Sequence, residues 1–235
     1  MKSRRTDLVE LMDDPHVDAA QLAVSLRFIR RVNKYLGGTR AILSHLKPWS
    51  RRWSGPVSIV DIATGSADIP LAITRWAARH NKPVHITAID IHQTTLAHAA
   101  DFLRANHAQN ITLLRTSAFD LPFADRSVDY ATTSMFLHHL ADDQALAVIR
   151  EMLRISRRGI IINDLLRSPQ AYVGICLATL LADHIDKHDA RVSVKKAWSR
   201  PEVKRWPAQL NAPWLRYHYH FPARFTLAGE RPEMV

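Results

Sequence analysis

The chain has few of the residues that mark specialised classes of protein. Cys176 is the single cysteine among 235 residues, so no intrachain disulfide can form, and a reducing, cytoplasmic setting is expected. The first ten residues carry charges and lack the apolar core of a secretory signal. The longest apolar run, 171–182, is about half of the roughly 20 residues that a spanning helix needs. A disulfide scaffold and an integral membrane protein are therefore both disfavoured.

Glycine is scarce as well, with seven residues, and glycine-rich phosphate motifs do not occur. The segment 61–68 has Ala63, Gly65 and Asp68 at the places where a dinucleotide-binding turn requires three glycines. No Gly-Lys-Ser/Thr sequence is present to form a P-loop. The glycine pattern therefore argues against a NAD-dependent oxidoreductase, and it excludes a P-loop nucleotidase.

Positive charge is abundant but dispersed. The formal net charge is +10, without counting 13 histidines, and the basic residues stand in pairs and small groups rather than in one tract. Such a distribution favours a solvated surface over a dedicated polyanion site. Nucleic acid is thus not the expected partner, whereas peripheral membrane contact is left open, as is the choice between a monomer and a homodimer.

Hydrophobic periodicity predicts two helices followed by alternating strands and helices. Residues 19–47 have helical spacing interrupted at Gly37-Gly38, and strands are predicted at 57–62, 84–90, 111–116, 127–134 and 160–163. Helices are expected between them and near 170–184, a broken helix over 193–210, and a closing hairpin at 214–221 and 224–227. This order predicts an α/β fold: a Rossmann-like, doubly wound seven-stranded sheet, with residues 1–50 as an N-terminal helical cap and 51–235 as the main domain.

The chemistry is concentrated where the predicted strands end. Small residues in 61–68 allow a ligand to approach the backbone, and the helix that follows offers free N–H groups. Asp90 ends the next strand, where a carboxylate can accept both hydroxyls of a ribose. The turn 61–68 and Asp90 together indicate a nucleoside-containing ligand.

Four segments, in order, resemble the class I S-adenosylmethionine (SAM) dependent methyltransferases, and most of all the ubiquinone/menaquinone-biosynthesis group. They are Asp-Ile-Ala-Thr-Gly-Ser-Ala-Asp (61–68), Ala-Ile-Asp-Ile (88–91), Leu-Pro-Phe-Ala-Asp-Arg-Ser-Val-Asp (121–129) and Phe-Leu-His-His-Leu (136–140). The resemblance covers roughly residues 25–165. It implies SAM as cofactor, with S-adenosylhomocysteine as product, and a small aromatic or lipophilic acceptor such as a phenol or quinone precursor, methylated on oxygen or carbon.

The resemblance also implies a set of cofactor contacts: Asp61, Ala63, Thr64, Gly65, Ser66, Asp90, Ile91, Ser117, Ala118, Phe119, Ser134 and Met135. Three positions depart from the family; one is Val128, which replaces an aromatic residue, and the other two lie in the cofactor motifs. Ala67 replaces the third glycine of the first motif, and Ser117 stands where relatives often have an acidic residue near the adenine amino group. Ser117 still offers a hydrogen bond there, although a weaker one.

Catalytic and substrate residues are predicted at the same sheet edge. An imidazole titrates near neutral pH, so His138, with His139 beside it, is the candidate base. Asn163 and Arg167 follow the fifth strand and, with Tyr35 of the N-terminal cap, are the candidate substrate contacts. No histidine pair comes with a third ligand in a known spacing, so no metal site is predicted.

Two further interpretations remain open at this stage. A nucleic-acid methyltransferase would account for the basic charge, but Thr133-Ser134-Met135-Phe136 differs from the Asn/Asp-Pro-Pro-aromatic motif of base methylators. A non-catalytic binding protein that keeps the fold is the second, because of Ala67 and Ser117.

Overall fold

The computed structural model describes residues 3–11, 18–180 and 183–234. The last two residues of the apolar run 171–182 therefore lie outside the described residues. The strands are β1 (Val57–Ile62), β2 (Val84–Asp90), β3 (Ile111–Arg115), β4 (Val128–Ser134), β5 (Ser156–Leu165), β6 (Arg216–His220) and β7 (Arg224–Glu230). The helices are α1 (Ala19–Tyr35), α2 (Gly38–Trp49), α3 (Asp68–Arg79), α4 (Gln93–Ala105), α5 (Asp142–Ile155), α6 (Pro169–Ala178), α7 (His184–Lys196) and α8 (Arg200–Gln209).

The strands form one seven-stranded sheet in the order β3-β2-β1-β4-β5-β7-β6. The first five strands are parallel, and β7 runs antiparallel to both β5 and β6. The predicted doubly wound sheet with a closing hairpin is confirmed. The order reverses between β1 and β4, which in open α/β sheets is where ligands bind.

Both faces of the sheet are covered by helices, as the near-continuous apolar strands require. Val57 and Ile59 of β1 pack with apolar residues of α2 and α3, whereas Val60 and Ile62 pack with apolar residues of α5 and α8. The alternation follows from the two-residue period of a strand. Helix α2 of the predicted cap is therefore part of the sheet's own core.

Several element boundaries differ from the sequence prediction, and two of the differences have a clear physical cause. Strand β5 starts at Ser156 instead of residue 160, because Asp129 of β4 accepts hydrogen bonds from Arg157 Nε (2.8 Å) and Arg158 Nε (2.7 Å) and so stabilises a polar strand start. The helix break in 193–210 lies before Ser199, whose capping box with Glu202 begins α8, while Pro207 lies inside that helix. Among the described residues, no helix combines the length and apolar character needed to cross a bilayer.

Replacing Gly159 with alanine is expected to destabilise the fold by about 3 kcal/mol, the upper range for overpacking. A Cβ at this position of β5 would lie 2.2 Å from the carbonyl oxygen of Gly229 in β7, and a backbone atom cannot move aside. Urea unfolding would measure the loss. Gly174→Ala is the control, because a Cβ there meets nothing within 4 Å. Equal stability of the two variants would contradict this account.

Candidate active site

A cavity of about 470 Å³ opens at the carboxyl ends of β1, β2 and β4. All twelve predicted cofactor contacts and both predicted catalytic histidines are among the residues that line it. The fold brings them together because parallel strands end at one sheet edge. Helices α1 and α7 and the N-terminal segment 3–11, here called the N-terminal strap, complete the wall with Leu26, Glu10 and Ser193 among others.

The turn after β1 has an unusual backbone. Ala63, Gly65 and Ala67 have φ values of 54°, 56° and 56°, in the left-handed region that glycine favours. A Cβ built on Gly65 would meet only Leu26 Cδ2, at 3.9 Å, so the open space above this residue faces the cavity. Ala67 keeps the glycine-like conformation at a cost of about 1 kcal/mol. The departure at Ala67 therefore leaves the turn open.

Asp90 joins that turn to the neighbouring strand. Its Oδ2 accepts a hydrogen bond from the Gly65 amide (3.1 Å) and its Oδ1 accepts one from the His92 amide (3.0 Å). Burial raises the pKa of Asp90 above its usual range. Each oxygen retains a lone pair for a further donor, so the carboxylate can still accept two hydroxyl groups.

Apolar surfaces flank Asp90 at the mouth of the cavity. Ile91 and Phe119 are 54% and 45% exposed, which is unusual for such large apolar side chains in a cavity wall. Ser117 lies beside them, and its Oγ accepts a hydrogen bond from the Phe119 amide (3.2 Å). Its hydroxyl proton remains available to a ligand. These surfaces suit a flat heteroaromatic ring with a polar edge.

Asp61 is the most deeply buried carboxylate of the cofactor end. It accepts hydrogen bonds from the Thr64 and Thr132 hydroxyls, both at 2.7 Å. Burial, assisted by the nearby charges of Asp68 and Asp90, raises the pKa of Asp61 to about 7. Three carboxylates crowded into one wall disfavour an anionic ligand and favour a cationic one.

Replacing Asp61 with asparagine is expected to stabilise the protein at pH 8 and to have little effect at pH 4. Because the folded-state pKa of about 7 exceeds the ordinary aspartate pKa of 3.8, the stability contribution of the protonated group is present at low pH and lost as pH rises to 7. The full loss of unfolding free energy is at most about 4 kcal/mol. Asparagine does not ionise, so the variant does not undergo this loss. Urea unfolding across this range would show it, with the exposed Asp101→Asn as control. Parallel pH curves for wild type and Asp61→Asn would refute the explanation.

The other end of the cavity is built around His138, which lies in the short 3-10 turn Leu137–His139 after β4. Its Nδ1 lies 2.7 Å from Asp164 Oδ1, and its backbone amide donates to Asp164 Oδ2 at 3.1 Å. Both side chains are at most 1% exposed. Burial pushes the pKa of Asp164 upward, but His138 and the Leu165 amide hold the pKa below its usual range. An ionised Asp164 favours a proton on Nδ1 of the ring, and Nε2 lies on the other side, 3.7 Å from Glu10 Oε1.

Glu10 is a site residue that no motif in the sequence indicates. It lies on the N-terminal strap, is 2% exposed, and its Oε2 accepts a hydrogen bond from Ser193 Oγ of α7 (2.7 Å). The strap is anchored by Arg4, whose guanidinium stacks over Trp198 at 3.6 Å and donates to the Leu140 carbonyl at 2.6 Å. Only the tertiary structure brings this segment against the turn that carries His138.

The three predicted substrate contacts, Asn163, Arg167 and Tyr35, are not among the residues that line the cavity. Asn163 is fully buried and donates to Ser134 Oγ (2.8 Å), so it supports the end of β4. Arg167 forms a forked ion pair with Glu202 of α8 at 2.6 and 2.8 Å. Tyr35 is 71% exposed and lines a separate groove between α1 and α6.

The fold is that of the class I SAM-dependent methyltransferases. The plantazolicin methyltransferase BamL, solved with S-adenosylhomocysteine, superposes with a TM-score of 0.67 at 13% identity, covering 91% of this chain and 95% of BamL. Magnesium protoporphyrin IX methyltransferase from Synechocystis gives a TM-score of 0.59 at 12% identity over 93% of this chain and 90% of that one.

Sequence comparison agrees with the fold. Residues 59–159 match the profile of a family described as "Methyltransferase domain". Demethylmenaquinone methyltransferase of Listeria welshimeri is 28% identical over 102 residues, which are 43% of this chain and 41% of that protein. The ubiquinone/menaquinone biosynthesis C-methyltransferase UbiE of Rickettsia felis is 33% identical over 85 residues, 36% of this chain and 34% of UbiE. The chain thus has the class I methyltransferase fold and contains a segment similar to the ubiquinone/menaquinone methyltransferases, and the matched segments span well under half of these relatives' length.

Proposed function

We propose that this chain transfers a methyl group from SAM to a small aromatic or lipophilic acceptor of the phenol or quinone-precursor type. The observation that carries the proposal is one cavity with two different ends. The motif turn and Asp90 form one end. The buried His138–Asp164 pair forms the other, with His138 Nδ1 2.7 Å from Asp164 Oδ1. The demethylmenaquinone and UbiE relatives support this acceptor class.

The residues of the cofactor end fit SAM on independent grounds. The left-handed turn 63–67 leaves backbone room, Asp90 has lone pairs for the ribose hydroxyls, and Ile91 and Phe119 offer apolar faces to adenine. Asp61 and Asp68 give the wall a negative potential that suits a ligand bearing ammonium and sulfonium charges. When bound, SAM supplies a methyl group already activated on positive sulfur.

The protein's main task is then to position and activate the acceptor. Positioning alone supplies a large share of the rate in such bimolecular displacements. His138, held by Asp164, is the proposed base that accepts a proton from the acceptor hydroxyl or carbon acid. His139, whose ring centroid lies 4.2 Å from that of His138, lines the same cavity and contributes to acceptor binding.

Cavity charge argues against the nucleic-acid interpretation. The chain is basic overall, yet buried Glu10, Asp186 and Asp189 line the acceptor end, while Asp61 and Asp90 line the other. A phosphodiester backbone would be repelled from this wall.

Peripheral membrane contact and a homodimer stay predictions. The side chains of Val173, Leu177 and Leu180 are exposed, so the α6 region is the surface to test for membrane contact.

Calorimetric titration of the purified protein with SAM, with NAD as the control ligand, is the first test. Micromolar binding of SAM and none of NAD supports the cofactor assignment. A radiolabelled-methyl assay over phenols, hydroxyquinones and a mixed RNA sample then identifies the acceptor class. A folded protein that binds no SAM would refute the enzyme assignment in favour of a non-catalytic protein, and transfer to RNA alone would refute the acceptor class.

A further inference from the structure

We propose that Glu10, His138 and His139 form a binding site for a divalent transition-metal ion of the zinc type. One ligand atom from each residue lies within 4.8 Å of the other two. Glu10 Oε1 is 3.7 Å from both His138 Nε2 and His139 Nδ1. Ligand atoms bound at 2.0–2.1 Å around a tetrahedral ion are about 3.4 Å apart. Small side-chain rotations would therefore close the site around an ion.

The surroundings of His138 match those of a metal-ligating histidine. Such histidines almost always donate their second ring N–H to a carboxylate or carbonyl, which fixes the tautomer and the ring orientation. Asp164 occupies that position at Nδ1, 2.7 Å away, and is itself fully buried. The Nε2 lone pair is thereby directed toward Glu10.

Glu10 supplies a second, independent indication. The Glu10 side chain is only 2% exposed, and its Oε1 has no hydrogen-bond partner in this buried position. A buried carboxylate oxygen without a hydrogen bond is costly, and service as a ligand to a cation is one reason for a protein to retain such an oxygen. The ammonium group of Lys196 lies 3.6 Å from the same oxygen and supplies positive charge there. A bound cation would replace this ammonium group as the positive charge next to Glu10 Oε1.

Local charge favours a dication over an anion. Glu10, Asp164, Asp186 and Asp189 are all buried around the acceptor end. The outer carboxylates Asp186 and Asp189 line the cavity without being ligands in the cluster. Two histidines and one carboxylate match the three-ligand sets of catalytic zinc sites, which keep a fourth position open.

The use of this site rests on the proposed function. An acceptor hydroxyl at the open position would lose its proton to solvent more readily, because a bound cation lowers its pKa. The resulting oxygen then forms a bond to the methyl carbon as the carbon–sulfur bond breaks, and that electron pair stays on sulfur. While the ion is bound, His138 Nε2 is a ligand, so its role as the base belongs to the metal-free protein.

Metal binding by the full chain tests the proposal without SAM or acceptor. Chelator-treated protein is dialysed against Zn²⁺ for stoichiometry and titrated with Co²⁺ for its visible absorption. We expect one ion per chain, with loss of this binding in Glu10→Gln and His139→Ala. Asp164→Asn should weaken binding by about 10- to 100-fold, as does loss of the carboxylate that holds a ligating histidine in place. His139 is 21% exposed, so its variant is expected to fold, and thermal unfolding checks this.

His218→Ala is the matched control, because His218 lies in a separate histidine group with its ring centroid 4.8 Å from that of His45. It should bind the ion as wild type does. No stoichiometric binding, or equal binding by wild type and both ligand variants, would overturn the proposal. Because SAM titration and methyl transfer are measured separately, this outcome is distinguishable from failure of the proposed function.

Discussion

Replacing Asp164 with asparagine is expected to lower kcat by about 100- to 10 000-fold, the range that general-base catalysis contributes. Asp164 does not face the acceptor and acts as a positioning residue for His138. Its Oδ1 lies 2.7 Å from the ring Nδ1 and also accepts a hydrogen bond from the Leu165 amide at 2.7 Å. An asparagine that presents its NH₂ group to the ring would select the tautomer whose Nε2 carries the proton. Such a ring cannot accept a proton from the acceptor.

Several readouts separate this effect from a loss of structure. The SAM dissociation constant of Asp164→Asn should stay within about twofold of wild type, because Asp164 is not among the residues that line the cavity. His138→Ala should lose as much activity as the double variant that combines His138→Ala with Asp164→Asn, since the effects of substitutions at residues that act as a unit are not additive. Asp129→Asn is the control: Asp129 is equally buried and paired with arginines, but lies at the opposite end of β4. Similar kcat losses in Asp129→Asn and Asp164→Asn would refute a positioning role.

Replacing Asp90 with asparagine is expected to weaken SAM binding by about 100-fold, since each hydrogen bond to a charged group contributes about 1.5–3 kcal/mol. The carboxylate has two acceptor oxygens, each already holding one backbone amide at 3.0–3.1 Å. Asparagine keeps one acceptor and places a donor where the second ribose hydroxyl would donate. The asparagine NH₂ group would also lie against the N–H group of either Gly65 or His92. Two donors then face each other, which disturbs the turn.

Calorimetry with SAM measures the Asp90 effect, and S-adenosylhomocysteine should lose affinity by the same factor, because the ribose is common to both. Asp101→Asn on α4 is the control, since Asp101 is 72% exposed and pairs with Arg104 away from the cavity. Unchanged SAM affinity in Asp90→Asn would show that the ribose does not bind at this carboxylate. A loss for SAM alone would point to the sulfonium charge as the group that Asp90 recognises.

Much of the cofactor end could be predicted because it is local in sequence. The turn 61–68 and Asp90 belong to consecutive βα units, and the parallel register aligns their strand ends, with Ile62 opposite Ile89. The acceptor end could not be predicted in the same way. Asn163 lies near the end of β5 and Arg167 just after it, but their side chains pair with Ser134 and Glu202 and do not line the cavity. Which side chain of a strand end faces a cavity depends on neighbours from distant segments.

The sequence alone determined the α/β class, the doubly wound sheet with its terminal hairpin, and the residues at its ligand-binding edge. Strand and helix periods, turn residues and motif order are local properties, so they can be read along the chain. Only the tertiary structure decided that Glu10 lies against His138 and His139, 128 and 129 positions away. That contact depends on the packing of the strap through Arg4 against Trp198, a long-range contact between side chains that no local pattern encodes.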